Sequence, residues 1–251
     1  MSRSEMAGNV QAVPHFDFVL VAGLAALLGA IVQGSVGLGV GLVATPVVTM
    51  LFPSAMPGSI LVVGAILPLA TLSREIRHAD LRGLGWACGG RLAGTPFGVL
   101  IVAAVPARVL GVAVGGLVLA AVGVTTWSAK VPRNPATLTA AGVVGGATGT
   151  ATAISGPPIA LLYQRESGPR VRATLAAFFA LGALLSLVML AAAGRLPASQ
   201  ITAGLALTPF VLVGFVAAGP LRRHLKGPRM RAALLTVIAA SALTLITRSL
   251  L

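Results

Sequence analysis

The chain has 251 residues, of which 57% are hydrophobic and 9% charged, with a mean hydropathy of +0.98. A soluble domain carries about 25% charged residues to keep its surface solvated, so this composition excludes a soluble fold and requires a polytopic membrane protein. The net charge of +13 would suit a nucleic-acid binder, but the 18 Lys and Arg are scattered and only 11 aromatics could stack on bases, so no nucleic-acid partner is expected.

Residues 1–16 read as an N-terminal tail. Arg3 is offset by Glu5 and Asp17, and the apolar stretch beyond outlasts the core of a signal peptide, so none is expected. From Phe18 to Ser73, 56 residues pass without a charged side chain. A bilayer core takes about 20 helical residues, so this run enters the membrane more than once. Pro53 and Pro57-Gly58 divide it into an embedded element over 18–51 and a crossing helix over 58–74. A charged loop, 74–82, precedes helices at 84–104 and 107–128, which are separated by Pro106. The polar stretch 129–136 is the linker between halves. A second embedded element at 136–163 follows, then helices at 172–193, 199–219 and 230–248.

Lys and Arg concentrate in alternate loops. Loops 74–82, 129–136, 164–172 and 219–231 hold 13 of the 18, which places them in the cytoplasm and both termini outside. Two consecutive rich loops then flank 136–163, so that element must return to the side it came from. Element 18–51 does the same from outside. The expected fold is an all-α polytopic membrane protein of two inverted repeats, 17–128 and 137–251. Each repeat comprises one glycine-broken re-entrant element plus three transmembrane helices. Weak internal matches agree: Gly94-Thr95-Pro96-Phe97 recurs as Leu207-Thr208-Pro209-Phe210 at an offset of 113, Pro106-Ala107-Arg108 lies opposite Pro220-Leu221-Arg222 at 114, and Gly34–Gly41 lies opposite Gly149–Gly156 at 115.

Both embedded elements carry a glycine-rich turn. The first runs from Gln33 and Gly34 through Ser35, Gly37, Gly39 and Gly41 to Thr45-Pro46; the second runs from Gly145 through Thr148, Thr150, Thr152, Ser155 and Gly156 to Pro157-Pro158. Such runs destabilise a continuous helix by about 1 kcal/mol per glycine, and in lipid a break survives only where protein or a watery cavity takes up the freed backbone groups. A helix restarting there presents unpaired N–H groups and the positive end of its dipole, which suits an anion. The competing reading is tight helix packing through small residues. If the turns approach a ligand closely, bulky substitution at Gly39 or Gly156 should block transport without unfolding the protein.

The run Gly37-x-Gly39-x-Gly41 ending in Thr45-Pro46, the Ser155-Gly156-Pro157-Pro158 element and the basic loop after it resemble the TauE/SafE sulfite-exporter family, also called the toluene-sulfonate uptake permease family, over about 15–250. The resemblance implies a bacterial inner-membrane secondary carrier of small sulfur-containing anions (sulfite, sulfonate or sulfoacetate), working by alternating access. In the second turn Thr152 and Ile154 stand where the first has Gly37 and Gly39, a departure from strict equivalence.

Arg91 is the ionised residue placed inside a crossing segment, about 10 Å deep if that helix begins near residue 84. Such a charge is costly unless it faces a cavity or snorkels, and a guanidinium matches two oxygens of an oxyanion. Thr95, one turn on, and its repeat mate Thr208 complete the candidate substrate-binding set with Gln33, Ser35, Gly37, Gly39, Gly41, Thr45, Arg91, Thr150, Thr152, Ser155 and Gly156. Arg74, Arg77 and Arg82 read as topology determinants, and Arg222, Arg223, Lys226, Arg229 and Arg231 as a lipid anchor.

Catalytic, metal and cofactor sites are not expected. Cys88 is single, and His15, His78 and His224 have no ligand spacing. The expected partners are a small anionic substrate and membrane lipid, with a homodimer left open. The alternative function is a non-transporting membrane scaffold or metal-centre assembly factor.

Overall fold

The computed structural model describes residues 16–126 and 131–221, together with 236, 239–240, 242–247, 249 and 250. The tail 1–15, the Arg222–Arg231 cluster and most of the 230–248 helix lie outside these residues. All regular structure among the described residues is helical. Among the described residues nine α-helices have both ends defined: α1 Phe16–Val36, α2 Val40–Leu51, α3 Gly58–Glu75, α4 Leu81–Ala104, α5 Ala107–Thr126, α6 Pro135–Thr152, α7 Gly156–Tyr163, α8 Gly168–Ala192 and α9 Ala198–Leu221. Five of them (α1, α3, α4, α8 and α9) are long and apolar enough to cross a membrane. The described positions between 236 and 250 are helical, and Ala242 and Leu245 pack on Val114, Val118 and Ala121 of α5.

Both embedded elements break where the glycine turns fall, and each then folds back on itself. Gly37 sits at φ 98°, a left-handed conformation that costs glycine little, and the chain reverses there. A side chain on Gly29 would collide with the Val40 backbone, so α2 starts beside the middle of α1. It then runs back until Phe52 meets Phe18 edge-to-face, ring centroids 5.0 Å apart. The second element repeats the plan. Asn134 caps α6 through a reciprocal bond pair with Thr137, Ala153 turns at φ 59°, and α7 starts beside Gly145 and Gly149. It returns until Glu166 reaches Arg133 at 2.6 Å. At 1.5 Å per residue, the outgoing arms α1 and α6 are about 31 and 27 Å long and the return arms α2 and α7 about 18 and 12 Å. Each element is therefore a full-length helix followed by a half-length return.

The turning residues Gly37 and Ala153 lie 116 positions apart, as do the restarts at Val40 and Gly156. Ala153 is the residue of the second break that shares a left-handed conformation with Gly37.

Two ends of the molecule differ in chemistry. Loops 74–82, 131–135 and 164–172 gather at one end, joined by ion pairs of Arg133, Arg170 and Arg172 with Asp80, Glu166 and Glu75. At the other end the loop 52–57 is held by Gln200, whose amide donates to the Ser54 and Met56 carbonyls and accepts from the Gly58 N–H. We call these the basic end and the neutral end.

Helix packing crosses between the halves: α4 lies on α6, α1 on α9, and α3 on α8. The α4–α6 pair is a backbone contact. Side chains added at Gly90 and Gly94 would strike the Thr139 and Val143 carbonyls, and those at Gly142 and Gly146 the Ala87 and Arg91 carbonyls. With no hydrophobic driving force between helices in lipid, such close approach is what holds them together. Gly94→Ala should therefore destabilise the purified protein by about 1–3 kcal/mol through overpacking. Gly89→Ala, on the open face of the same helix, should stabilise it by up to about 1 kcal/mol through helix propensity. Thermal unfolding of both variants in one detergent checks the opposite signs.

Candidate functional site

The two helix breaks meet. Gly41 at the start of α2 approaches the Ala153 carbonyl, and Gly156 at the start of α7 lies beside Leu38. The cavity between them is lined by Gln33, Gly39, Gly41, Gly149, Ser155 and Gly156 from the broken elements, and by Arg91 of α4. Ile60, Leu61 and Gly64 of α3 and Phe179 and Ala183 of α8 close its sides. Its open space is about 50 Å³. At roughly 10–15 Å³ per water centre, that admits three or four waters or one compact ion.

Arg91 dominates this cavity. The helix begins at Leu81, not near residue 84, so Arg91 lies ten residues in, about 15 Å from the basic end. It is 2% exposed, and its Nε and Nη1 find no hydrogen-bond partner. Its guanidinium carbon stands 4.7 Å from the centre of the Phe178 ring, a cation–π contact that supports the charge without using its N–H donors. Gly182 leaves the space the guanidinium occupies, and a side chain on Gly149 would come within 3.0 Å of Nη2. An unpaired buried donor costs about 1–3 kcal/mol, more when charged. This arginine is thus held beside a cavity with two donors unspent.

The backbone contributes less than a pair of helix starts suggests. In the first turn of α2 the Val40 N–H goes to Gln33 Oε1 at 3.1 Å, and those of Leu42 and Val43 go to the Gly39 carbonyl. The Gly41 N–H remains. In α7, Pro157 and Pro158 have no N–H to give, so Gly156 supplies the donor at that break.

Of the residues singled out from sequence, Gln33, Gly39, Gly41, Arg91, Ser155 and Gly156 come together on the cavity wall. Others lie off it. Ser35, Thr95, Thr152 and Thr208 donate to carbonyls one turn back in their own helices, Thr150 bonds Ser186 at 2.7 Å, and Gly37 packs against the Arg172 backbone. Thr45 is buried and also outside the wall. Gly39 needs a second correction. A side chain there would strike the Gln33 N–H and the Gly29 carbonyl, so Gly39→Leu disturbs the α1–α2 hairpin itself. Gly156, where the nearest atom is Phe179 Cζ at 3.1 Å, tolerates the test better. The apolar walls from α3 and α8, and Phe178 beneath the guanidinium, had no signal in the sequence beyond hydrophobicity.

A charged cluster closes the basic end. Arg172 grips both Glu75 carboxylate oxygens, with bonds of 2.6 and 2.9 Å. Asp80 accepts from the Gly83 N–H at 3.1 Å and the Tyr163 hydroxyl at 3.0 Å, with Arg170 and Arg133 nearby. Partial burial opposes ionisation of Asp80, but the Gly83 N–H, the Tyr163 hydroxyl and the two arginines outweigh it and hold its pKa below the usual value.

The sulfite exporter TauE/SafE family model matches residues 22–245, nearly the whole chain. The chain belongs to that family. No curated protein and no solved structure matches it. Family membership and five apolar helices together make this TauE/SafE chain a multi-pass membrane protein of a transporter family.

The Asp80 cluster sets a pH dependence. Because the folded pKa is depressed, the stability Asp80 provides is complete above its unfolded value, about 3.9, and is lost as pH falls through the lower folded value. Asp80→Asn should lower stability by about 1–3 kcal/mol at neutral pH. The difference between wild type and Asp80→Asn should shrink below about pH 4, measured as thermal midpoints across pH.

Proposed function

We propose that this protein is a secondary carrier of a small sulfur-containing anion, of sulfite, sulfonate or sulfoacetate type, which it binds between the two helix breaks and moves by alternating access. The observation that carries this reading is Arg91: a buried guanidinium whose Nε and Nη1 have no partner, beside a cavity the size of one compact ion. An oxygen of a sulfite or sulfonate group would accept a charge-assisted hydrogen bond from Nε or Nη1, which lie on opposite edges of the guanidinium and so serve separately rather than as one fork. Gly41 and Gly156 N–H groups, the Ser155 hydroxyl and the Gln33 amide complete the shell. The open space of about 50 Å³ favours sulfite and other compact members of the class over aromatic sulfonates.

The inverted-repeat reading, with repeats at 17–128 and 137–251 and a linker at 129–136, is part of the proposal. The crossed packing of α4 on α6 and α1 on α9, with α3 and α8 as mates, is the pattern that exchanging two halves would leave unchanged. The common offset of 116 between turns and between restarts supports it. In this reading the basic end faces the bacterial cytoplasm and both broken elements begin and end on one side, α1–α2 outside and α6–α7 inside. A scaffold or metal-centre assembly factor would have no use for an unpaired arginine in a central cavity.

Anion affinity tests the site. Arg91→Lys should weaken sulfite binding, because a point charge replaces a planar fork, and Arg91→Ala should weaken it by about 1.5–3 kcal/mol, roughly ten- to a hundredfold. Gly182→Ala, which drives its methyl into the guanidinium, should weaken binding without touching a donor. Equal affinities in wild type and all three variants, by thermal shift or calorimetry, would remove Arg91 from the site.

Sidedness has its own test. On a Cys88→Ala background, Pro132→Cys and Gly168→Cys should react with an impermeant thiol reagent from the cytoplasmic side alone; labelling from opposite sides sinks the re-entrant arrangement.

A further inference from the structure

Hydroxyls inside these helices almost uniformly turn back on their own chain. Ser35, Thr95, Thr148, Thr152, Ser186 and Thr208 each donate to the carbonyl four residues earlier. That bond is available to any serine or threonine in a helix and is how lipid-embedded hydroxyls are ordinarily satisfied. Thr45 and Thr49 of α2 do not make it, nor does Ser59, which at the start of α3 has no helical carbonyl four residues back. The two threonines are 0% and 8% exposed, and neither Oγ1 has a hydrogen-bond partner. Pro46, lacking an N–H, even leaves the Leu42 carbonyl without its helical donor, and Thr45 still does not turn to it.

Their position gives the hydroxyls a use. Gly41, Thr45 and Thr49 follow at intervals of four, so they lie along one stripe of α2. Val40, Ala44 and Val48 turn to the cluster shared with α1 and α9, and Leu42, Val43 and Met50 to α5. The remaining stripe starts at the cavity, where Gly41 lines the wall, and runs about 12 Å toward the neutral end, where α2 stops at Leu51.

We propose that Thr45 and Thr49 line the route by which the anion passes between the Arg91 cavity and the neutral end, their free hydroxyls donating in turn to an oxyanion that has shed part of its water. This rests on the transport reading above for its cargo, though not for its geometry.

Two measurements test it. On a Cys88→Ala background, Thr45→Cys and Thr49→Cys should be modified by a small membrane-impermeant thiosulfonate reagent. Position 49 should react faster from the neutral end, and methanesulfonate, which unlike sulfite does not consume a thiosulfonate, should slow position 45. Val48→Cys, on the packed face of the same helix, should stay unmodified. Second, Thr45→Val with Thr49→Val keeps shape and removes both donors. It should lower sulfite flux about tenfold while leaving sulfite affinity within about twofold of wild type. Reactivity at 45 and 49 no greater than at 48 overturns the route, and so does unchanged flux in the double valine variant. If the wild type neither binds nor moves sulfite and both cysteines still react, the route stands and the cargo assignment falls. If Arg91 variants lose affinity while 45 and 49 stay silent, the site stands and the route falls.

Discussion

A charged guanidinium at mid-depth in an apolar bundle is the constraint around which this molecule is arranged. At about 15 Å from the basic end, Arg91 is too deep to reach bulk water by extending its side chain. Three neighbours make the position tenable. Phe178 offers a ring face, Gly182 leaves room for the planar group, and Gly149 lets Nη2 lie against the α6 backbone. None of these satisfies Nε or Nη1. The fold tolerates the charge and leaves its donors for something else.

The close packing of α4 on α6 follows from the same constraint. Arg91 lies in the α4 face that carries Gly90 and Gly94, and its carbonyl sits where a side chain on Gly146 would have to go. Bringing the two backbones together sets the guanidinium over the α6–α7 break rather than in lipid. The break then has to supply a polar wall, which it does sparingly: one glycine N–H, the Ser155 hydroxyl and two prolines that donate nothing. On the transport reading, an anion in this cavity is recognised by the Arg91 guanidinium more than by a nest of backbone amides. That inverts the weighting suggested by two glycine-rich turns in the sequence.

Much of the architecture was legible because lipid forbids most alternatives. Long uncharged runs had to be embedded helices, and the distribution of Lys and Arg grouped the loops 74–82, 129–136, 164–172 and 219–231; ion pairs of Arg133 and Arg170 join the first three, while most of the fourth lies outside the described residues. The roles of individual glycines were not legible. Gly41 and Gly156 line a cavity, Gly94 and Gly142 let helices touch, and Gly39 does the work of a hairpin, yet all are the same letter in an apolar context. Hydroxyl function was equally hidden. Thr95 and Thr45 look alike in sequence, and only the rotamer distinguishes one spent on its own helix from one left free. The second turning point was hidden too: Ala153 adopts a left-handed conformation at a cost of about 1–2 kcal/mol, so composition gave no sign that the chain turns there.

The two return helices lead from one cavity to opposite ends, and their chemistry is not the same. Along α2 the stripe from the cavity reads Gly41, Thr45, Thr49; the positions 116 further on are Pro157 and Leu161 of α7 and Arg165 in the turn after it. One path offers free hydroxyls, while the other is apolar until it reaches a charged loop. The ends differ in the same sense. The neutral end is tied by the neutral amide of Gln200, whereas the basic end is tied by Glu75–Arg172 and by the Asp80 and Glu166 pairs with Arg133 and Arg170. Partly buried ion pairs are costly to separate one partner at a time, because each leaves a charge behind. On the transport reading, this conformation is the one closed at the basic end, and opening that end requires the ends of α3, α4, α6, α7 and α8 to release their charges together. A negative cargo arriving beside Arg165 and Arg170 would supply part of the compensation. On the same reading the cationic excess at that end serves twice, first in setting the orientation and then in drawing the anion toward arginines that are already engaged.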